Sequence, residues 1–510
     1  MTSFSTDQNA IRPYLTDESS AFEGQAGRIY FPSSAEEVAE ILAEAQTAGV
    51  GVTVSGGGTS ITGARVPTDG GWILATDRLV TVKPVADRKR LSTSDGDIFL
   101  DPESLLARVP AGLRLSSLDA AVEPLGLFYP PTLTERSAMI GGTIATNASG
   151  ARSFRYGPTR SWVEGLTVVT PRGEILHLAR GQCVARGTTL DLSPSGPAVI
   201  LPNLAPLSGV KNVAGYAVAP GMDAVDLFVG GEGTLGVVID AEIRLERRTG
   251  DSVTLLVFVV NRDDALNVAD QTREGAFQPW EALAVEYFDR GSLDFMREAF
   301  ADVPEAAAAV LIELAPPAEE SPKWHSSAAL LGQWLHQLEM FEPVDVWSVL
   351  PSEKERVRDF RHALPDRVND YVRTRRGKLG TDLAVPGAAF RELMVAYDRA
   401  SGSGVKSVLF GHLGEYHLHL NFLADDDDEL RRARESYVEL ARTAVDLGGT
   451  VSAEHGIGKK RAWVDASTTI PYLELMVGTE GIEAMSSLKR QLDPGWILNR
   501  DTVLPWKPNP

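Results

Sequence analysis

Val38, Ile41, Leu42 and Ala45 repeat at the spacing of one helical face, with Ser34 and Glu37 placed as a capping box before them and Gly49 after them. The pattern predicts a helix from residue 34 to Gly49, and GVTV, 51–54, then reads as a short strand. Further along, 166–170 and 237–245 read as strands, the first closed by a turn at 171–173. In the second half, VTLLVFVV (253–260) and AAVLIELA (308–315) are strand-like runs that alternate with helical stretches such as SAALLGQWLHQLEMF, 327–341. YHLHLNF, 416–422, alternates in the manner of an edge strand, which would set His417 and His419 on one solvated face. The fold class expected from these patterns is α+β.

Three segments break the periodicity with small residues. VSGGGTSITG, 54–63, follows the first strand with four glycines and four hydroxyl residues. It is not a dinucleotide fingerprint, since Gly56 and Gly58 fit the first two places of GxGxxG but Ile61 stands in the last, and it lacks the Gly-Lys-Ser/Thr ending of a P-loop. Bare backbone there lets N–H groups converge on an anion, with Thr59 and Ser60 adding hydroxyls, although a flexible turn explains the stretch taken alone. From Tyr129 to Glu174 a run of small residues punctuated by Gly141, Gly142 and Gly150 offers a surface for a flat ring, with Thr146 and Asn147 as polar groups. VKNVAGYAVAPGMDAVDLFVGGEGTLGVVIDAEIRL, 210–245, is the third, and its GGEGTLG reads equally as a turn feeding a strand.

Composition narrows the chemistry. A length of 510 residues with 43% apolar and 23% charged positions describes two or three globular domains. A net charge of −20 argues against nucleic acid as partner. The single cysteine, Cys183, excludes an internal disulfide, a CxxC redox pair and a cysteine-ligated cluster. No run of eighteen apolar residues and no signal-peptide pattern is found, so the expectation is a cytoplasmic protein without an integral membrane segment, with peripheral membrane association left open.

Histidines concentrate late in the chain. His412, His417 and His419 fall in LFGHLGEYHLHLNF (409–422), and His455 in GGTVSAEHGIGKKRAW (448–463). Imidazoles with a carboxylate are ligands for zinc, manganese or iron, and two histidines with one glutamate leave positions open for substrate; a solvated strand face is the alternative. Strand parity pairs His417 with His419 and turns His412 away, so His412 joins them only through a bend near Gly414. ADDDDEL, 424–430, lacks the spacing of a calcium loop and reads as a solvated loop. The cations of 353–386 read mostly as exposed helix faces.

The order and wording of these segments, from about Ile29 to the ending LKRQLDPGWILNRDTV, resemble the FAD-linked D-lactate, glycolate and D-2-hydroxyglutarate dehydrogenases of the vanillyl-alcohol oxidase and p-cresol methylhydroxylase (PCMH) superfamily. The resemblance implies a two-domain FAD-binding PCMH-type fold with a C-terminal FAD-linked oxidase cap: a flavin domain over 1–250, a substrate cap over 251–450 and a segment, 451–510, returning to the flavin domain. It places the FAD pyrophosphate on Gly56, Gly57, Gly58, Thr59, Ser60 and Gly63. The flavin and ribityl chain would lie along Pro131, Thr132, Gly141, Gly142, Thr146, Asn147 and Gly150, the adenine part near Val237 and Val238, and Asn499 would return to the flavin. Residues 52–68 contain no histidine, so the FAD is expected to be noncovalent. The family's GHxGDGNLHxN and EHGxG motifs imply a divalent metal, zinc or manganese, on His412, His419 and Glu454, with His455 as base and Asn421 beside the site. Asp-Gly-Asn of that motif is replaced by Glu415, Tyr416 and His417, which makes His417 an outer partner or a substitute ligand. Arg361 falls where the family's arginine binds the substrate carboxylate; the family's lysine position is Gly380 here, with Lys378 two residues upstream.

The implied activity is oxidation of a D-2-hydroxy acid to its 2-oxo acid by hydride transfer to flavin N5. Electrons would pass to an external acceptor (a quinone, an electron-transfer flavoprotein, a cytochrome or oxygen), and a homodimer is expected. The rival readings are a non-redox enzyme resembling alkylglycerone-phosphate synthase and a flavin-binding protein without turnover.

Overall fold

A computed structural model of the chain describes residues 3–193, 196–204, 207–248, 250, 252–316, 332–349, 354–465 and 467–506. The first helix, Ala35–Ala48, has Ser34 as its cap, whose Oγ accepts from the Glu37 N–H at 3.2 Å, and it ends on Gly49 in the left-handed region at φ 65°. The return half of the box is shifted by one residue, since the Glu37 carboxylate accepts from the Ser33 N–H at 2.6 Å rather than from the cap itself. Val38, Ile41, Leu42 and Ala45 are buried.

Two sheets build the first half. A four-stranded sheet runs in the order Phe4–Ser5, Ala26–Tyr30, Gly70–Ala75, Val52–Ser55, the last three strands parallel. The glycine loop therefore leaves the carboxyl end of a parallel strand, where open α/β sheets place ligands. A six-stranded antiparallel sheet holds Val163–Val169 between Ile175–Ala179 and Val237–Arg244. Val52–Ser55 is an edge strand, and its free edge is covered from the far end of the chain. Val52 N–H donates to the Ile497 carbonyl at 2.7 Å and Asn499 N–H to the Val52 carbonyl at 2.9 Å.

The second half is one eight-stranded antiparallel sheet in the order Asp345–Val349, Val253–Val259, Ala308–Ala315, Glu281–Asp289, Ser407–His412, His417–Ala424, Gly377–Gly380, with Leu383–Ala384 also pairing to His417–Ala424. Runs such as VTLLVFVV are apolar on both faces because both faces are covered. Leu255, Val257 and Val259 join the main core, to which helix Arg262–Arg273 contributes Ala265 and Leu266. Leu256 and Phe258 face a second core with Leu293 and Met296 of helix Arg290–Arg297 and Phe360 and Leu364 of helix Lys354–Val372.

Two readings of the sequence are corrected, and a third is met as far as the described residues extend. His417–Ala424 is an interior strand with all eight residues buried, not an edge strand with a wet face, because the sheet continues on both sides of it. The acidic run 424–430 starts a helix, Asp427–Asp446, capped by Asp426, whose side chain accepts from the Glu429 N–H; the carboxylates there complement the helix N-terminus. Of the helix expected over 327–341, residues 332–338 are helical, ending in the tight turn Glu339–Phe341, and 327–331 lie outside the described residues.

Candidate active site between the two halves

A cavity of about 330 Å³ opens at the carboxyl end of the parallel strands. One wall is the backbone of Gly56, Gly57 and Gly58 with Thr59 and Ser60; the other is Gly141, Gly142 and Thr146; Val237, Val238 and Asn499 line it as well, and Glu454 and His455 reach it from the second half. Two of the glycines are constrained by close packing or backbone conformation. A Cβ on Gly57 would stand 3.2 Å from the Ser137 carbonyl oxygen, and Gly58 has φ +88°. A Cβ on Gly142 would meet no protein atom within 4 Å. A slot walled by bare amides and small side chains suits the pyrophosphate and flat ring of a flavin dinucleotide.

Five residues expected at the cofactor lie outside this lining, for identifiable reasons. Gly63, at φ +77°, packs on the Phe22 ring and donates its N–H to Asp17 at 2.7 Å. Gly150 lets the chain pass close to the Thr132 carbonyl, where a Cβ would stand 2.2 Å from the oxygen. Asn147 is a turn residue at φ 48° whose Oδ1 accepts from the Arg160 N–H at 2.8 Å. Pro131 and Thr132 precede the residues that line the cavity, Leu133, Thr134 and Glu135.

Asn499 ties the cradle together. Its Oδ1 accepts from the Val54 N–H at 2.7 Å, and its Nδ2 donates to the Glu232 carbonyl at 2.7 Å. The Glu232 carboxyl, itself in the lining, accepts from the backbone N–H groups of Ile457 at 2.8 Å and Gly458 at 2.9 Å, so it anchors the loop that carries His455. Burial pushes the Glu232 pKa up to about 7 despite these two bonds. Segment 493–499 is fixed by a fully buried ion pair: Lys489 Nζ donates to Asp493 at 2.9 Å and to the carbonyls of Thr234 and Leu498 at 2.8 and 3.0 Å.

The histidines meet through a hairpin. Strand Ser407–His412 turns at Leu413–Glu415 and returns as His417–Ala424, with His412 directly opposite His417. Opposite residues of an antiparallel pair share a face, which overrides the parity that separates His412 from His417 along a single strand. Tyr416 closes the turn at φ 56°, where the family pattern has glycine. Its ring packs 5.4 Å from Phe390 and lies under the Arg273 guanidinium at 4.2 Å, contacts that offset the strain of a left-handed tyrosine.

Around the Glu454 carboxylate, His412 Nε2 and His419 Nε2 each lie 3.2 Å from Oε1, and His417 Nδ1 lies 3.9 Å from Oε2. The far nitrogens are held from behind: His412 Nδ1 by Glu286 at 2.7 Å, His419 Nδ1 by the Thr381 carbonyl at 3.1 Å, and His417 Nε2 by Asp382 at 2.9 Å. Such outer partners fix the orientation of metal-binding imidazoles, and the donor set fits a divalent ion. Lys211 Nζ takes the other side, 2.8 Å from Glu454 Oε2 and 2.9 Å from Glu415 Oε2. Burial opposes charge on both His412 and Lys211, but the facing carboxylates prevail, raising His412 to about 10 and Lys211 above the usual lysine range.

His455 sits beside this group with its side chain 28% exposed toward the cavity, Nδ1 at 3.5 Å from Asp382 and Nε2 at 3.6 Å from Glu454. Desolvation, only partly countered by the Asp382 carboxylate, pushes it down to about 4. Asp382 also accepts from the His455 N–H at 2.9 Å and the Ser452 hydroxyl at 2.7 Å, and although burial works to raise its pKa, His455 and His417 hold it well below the carboxylate range.

The remaining residues expected here are distributed more widely. Asn421 is buried on the face of His417 and His419, with Nδ2 donating to the His419 carbonyl at 3.2 Å. Lys378 is exposed and donates to Asn369 at 2.7 Å, outside the cavity lining. Arg361 belongs to helix Lys354–Val372, and its side chain lies outside the described residues. Lys211, Glu232, Glu286 and Asp382 escaped the sequence reading. A charged residue inside an apolar or glycine-rich run, as in VKNVAGY and GGEGTLG, was the available signal for Lys211 and Glu232.

Comparison with known proteins agrees with the architecture. Residues 26–179 match the family described as FAD binding domain, and residues 250–503 the family described as FAD linked oxidases, C-terminal domain. The fold and site thus define a two-domain FAD-linked oxidoreductase. Glycolate oxidase subunit GlcD of Bacillus subtilis (strain 168) is 29% identical over 97% of this chain and 92% of its own length. D-2-hydroxyglutarate dehydrogenase of Stutzerimonas stutzeri (strain A1501) is 27% identical over 97% and 94% of the two chains, and D-lactate dehydrogenase of Archaeoglobus fulgidus is 28% identical over 93% and 90%. The chain belongs to the FAD-linked oxidases, an FAD binding domain followed by the C-terminal domain of that family, and it is similar along most of its length to these hydroxyacid oxidases and dehydrogenases. A solved structure of alkyldihydroxyacetonephosphate synthase shares the fold, with a TM-score of 0.63 at 16% identity over 99% of this chain and 82% of that one. No helix among the described residues is long and apolar enough to cross a membrane.

Proposed function

We propose that this protein oxidises a D-2-hydroxy acid to the 2-oxo acid, with FAD held noncovalently in the glycine-walled cavity. The observation that carries this reading is that His455 and Glu454 open onto the same cavity as the glycine cradle, so that an acid–base group and a redox cofactor would face one substrate. Bound FAD supplies the acceptor, flavin N5, for the hydride leaving C2 of the substrate. A divalent ion, zinc or manganese, held by His412, His419 and Glu454 supplies polarisation of the substrate hydroxyl.

The protein's own residues do the rest. His455, neutral at pH 7 because of its depressed pKa, accepts the hydroxyl proton at Nε2, while the Asp382 carboxylate 3.5 Å from Nδ1 stabilises the imidazolium by its charge. The Arg361 guanidinium has the planar fork that suits a carboxylate, and Asn421 offers an amide beside the histidines. Gly56, Gly57, Gly58, Thr59 and Ser60 hold the pyrophosphate by backbone and hydroxyl donors, Gly141, Gly142 and Thr146 face the ring system, and Val237 and Val238 bound the adenine end. With one cysteine in the chain, electrons leave through an external acceptor rather than a bound cluster.

Anaerobic mixing of the FAD-loaded protein with D-lactate, glycolate, D-2-hydroxyglutarate and longer 2-hydroxy acids tests this. Bleaching of the flavin absorbance by at least one of them is the expected result; an unbleached flavin with every acid refutes it.

A further inference from the structure

We propose that His417 is a fourth protein ligand of the metal centre, making the site three imidazoles and one carboxylate. This deepens the reading above and rests on its metal site. Three observations meet at this side chain. His417 is fully buried, and its Nδ1 has no hydrogen-bond partner among the described residues although it is shut off from water. A buried ring nitrogen without a partner is costly unless something binds it.

That nitrogen is aimed at the other donors. The ligand atoms of His412, His417, His419 and Glu454 all lie within 4.8 Å of one another, and the His417 and His419 rings are 4.4 Å apart between centroids. For metal–nitrogen bonds of about 2.0 to 2.1 Å, neighbouring ligands stand roughly 3.0 to 3.4 Å apart in octahedral or tetrahedral arrangements. The 3.2 Å separations of His412 and His419 from Glu454 fit this spacing. His417 Nδ1 lies 3.9 Å from Oε2, the Glu454 oxygen on the Lys211 side, and would close toward the other donors on sharing an ion with them.

The far side of the ring is prepared in the same way as for its neighbours. His417 Nε2 is held by Asp382 at 2.9 Å, a carboxylate behind an imidazole, which fixes the tautomer that leaves Nδ1 free to donate its lone pair. Lys211 secures Glu454 Oε2 at 2.8 Å and leaves Oε1 as the oxygen presented to the imidazoles. Asparagine, which occupies this position in the family motif, carries no imidazole nitrogen.

Four protein ligands change which ion can serve a substrate. A tetrahedral zinc would be closed by them, whereas an ion accepting five or six ligands, of the manganese or iron class, keeps positions free. The test uses the full-length, FAD-loaded protein stripped with chelator and titrated with manganese(II) and zinc(II) separately, with bound metal measured by elemental analysis and imidazole ligands counted by X-ray absorption. The expected result is one equivalent of metal with three imidazoles in wild type, and in His417→Asn two imidazoles with affinity weakened more than about 100-fold, beyond what loss of an outer partner causes. Wild type holding its metal through two imidazoles overturns the inference without touching the proposed three-ligand site, and does so even if the variant does not fold. Equal affinity in His417→Asn also overturns it. Wild type that binds neither ion removes the metal site and this inference together.

Discussion

The Glu232 carboxyl joins the cofactor cavity to the base-bearing loop, and its proton gives a stability test with a definite sign. Its pKa is 4.5 in the unfolded chain and, because of burial, about 7 when folded. Between those values the folded chain keeps a proton that the unfolded chain has released, so stability falls as pH rises through that window and levels off above it. The gap corresponds to about 3 kcal/mol at about 1.4 kcal/mol for each pH unit. Glu232→Gln cannot titrate. It leaves one of the Ile457 and Gly458 N–H groups unpaired, a cost of about 1–3 kcal/mol that does not vary with pH. Stability of the variant relative to wild type should therefore improve by about 3 kcal/mol between about pH 4.5 and about pH 8. Urea unfolding of the flavin-free chain, followed by tryptophan fluorescence across that range, measures it. Parallel curves for the two proteins would show that Glu232 titrates normally and that its burial has been misjudged.

His455→Ala should retain FAD and lose turnover by about 10²- to 10⁴-fold, measured by flavin reduction in single-turnover mixing; unchanged reduction would remove His455 as base. Gly142→Leu puts a side chain into space where a Cβ meets no protein atom, so flavin binding should be abolished while the far-ultraviolet spectrum and unfolding midpoint stay near wild type. Lys489→Met leaves the Asp493 carboxylate buried without its cation and should destabilise the chain by about 3–5 kcal/mol in denaturant unfolding; a loss under about 1 kcal/mol would contradict the structural weight given to that pair.

What could be read from the chain beforehand was what is encoded locally. Helix Ala35–Ala48 announces itself through its cap, its apolar spacing and Gly49. The glycine wall of the cavity was legible because bare backbone has few other purposes at such density. His412 was harder, since its neighbours are set by cross-strand pairing and by a turn that Tyr416 closes, and no periodicity along a single strand expresses that. Glu286, Glu232 and Lys211 were hidden for a related reason: they act on residues 126, 225 and 243 positions away, and single charged residues carry no local signature of burial. Gly63 and Gly150 lie outside the cavity lining. Both are needed for close packing, and the sequence does not distinguish a glycine that admits a ligand from one that admits a neighbouring ring or carbonyl.

The clasp of Asn499 across Val54 and Glu232 has a consequence for biogenesis. While the chain is being synthesised, the glycine wall emerges early, but the strand behind it has an uncovered edge until residues 497–499 leave the ribosome. Completion of the cradle therefore waits for residues 497–499, and a fragment ending after the first domain would be expected to misassociate through that edge.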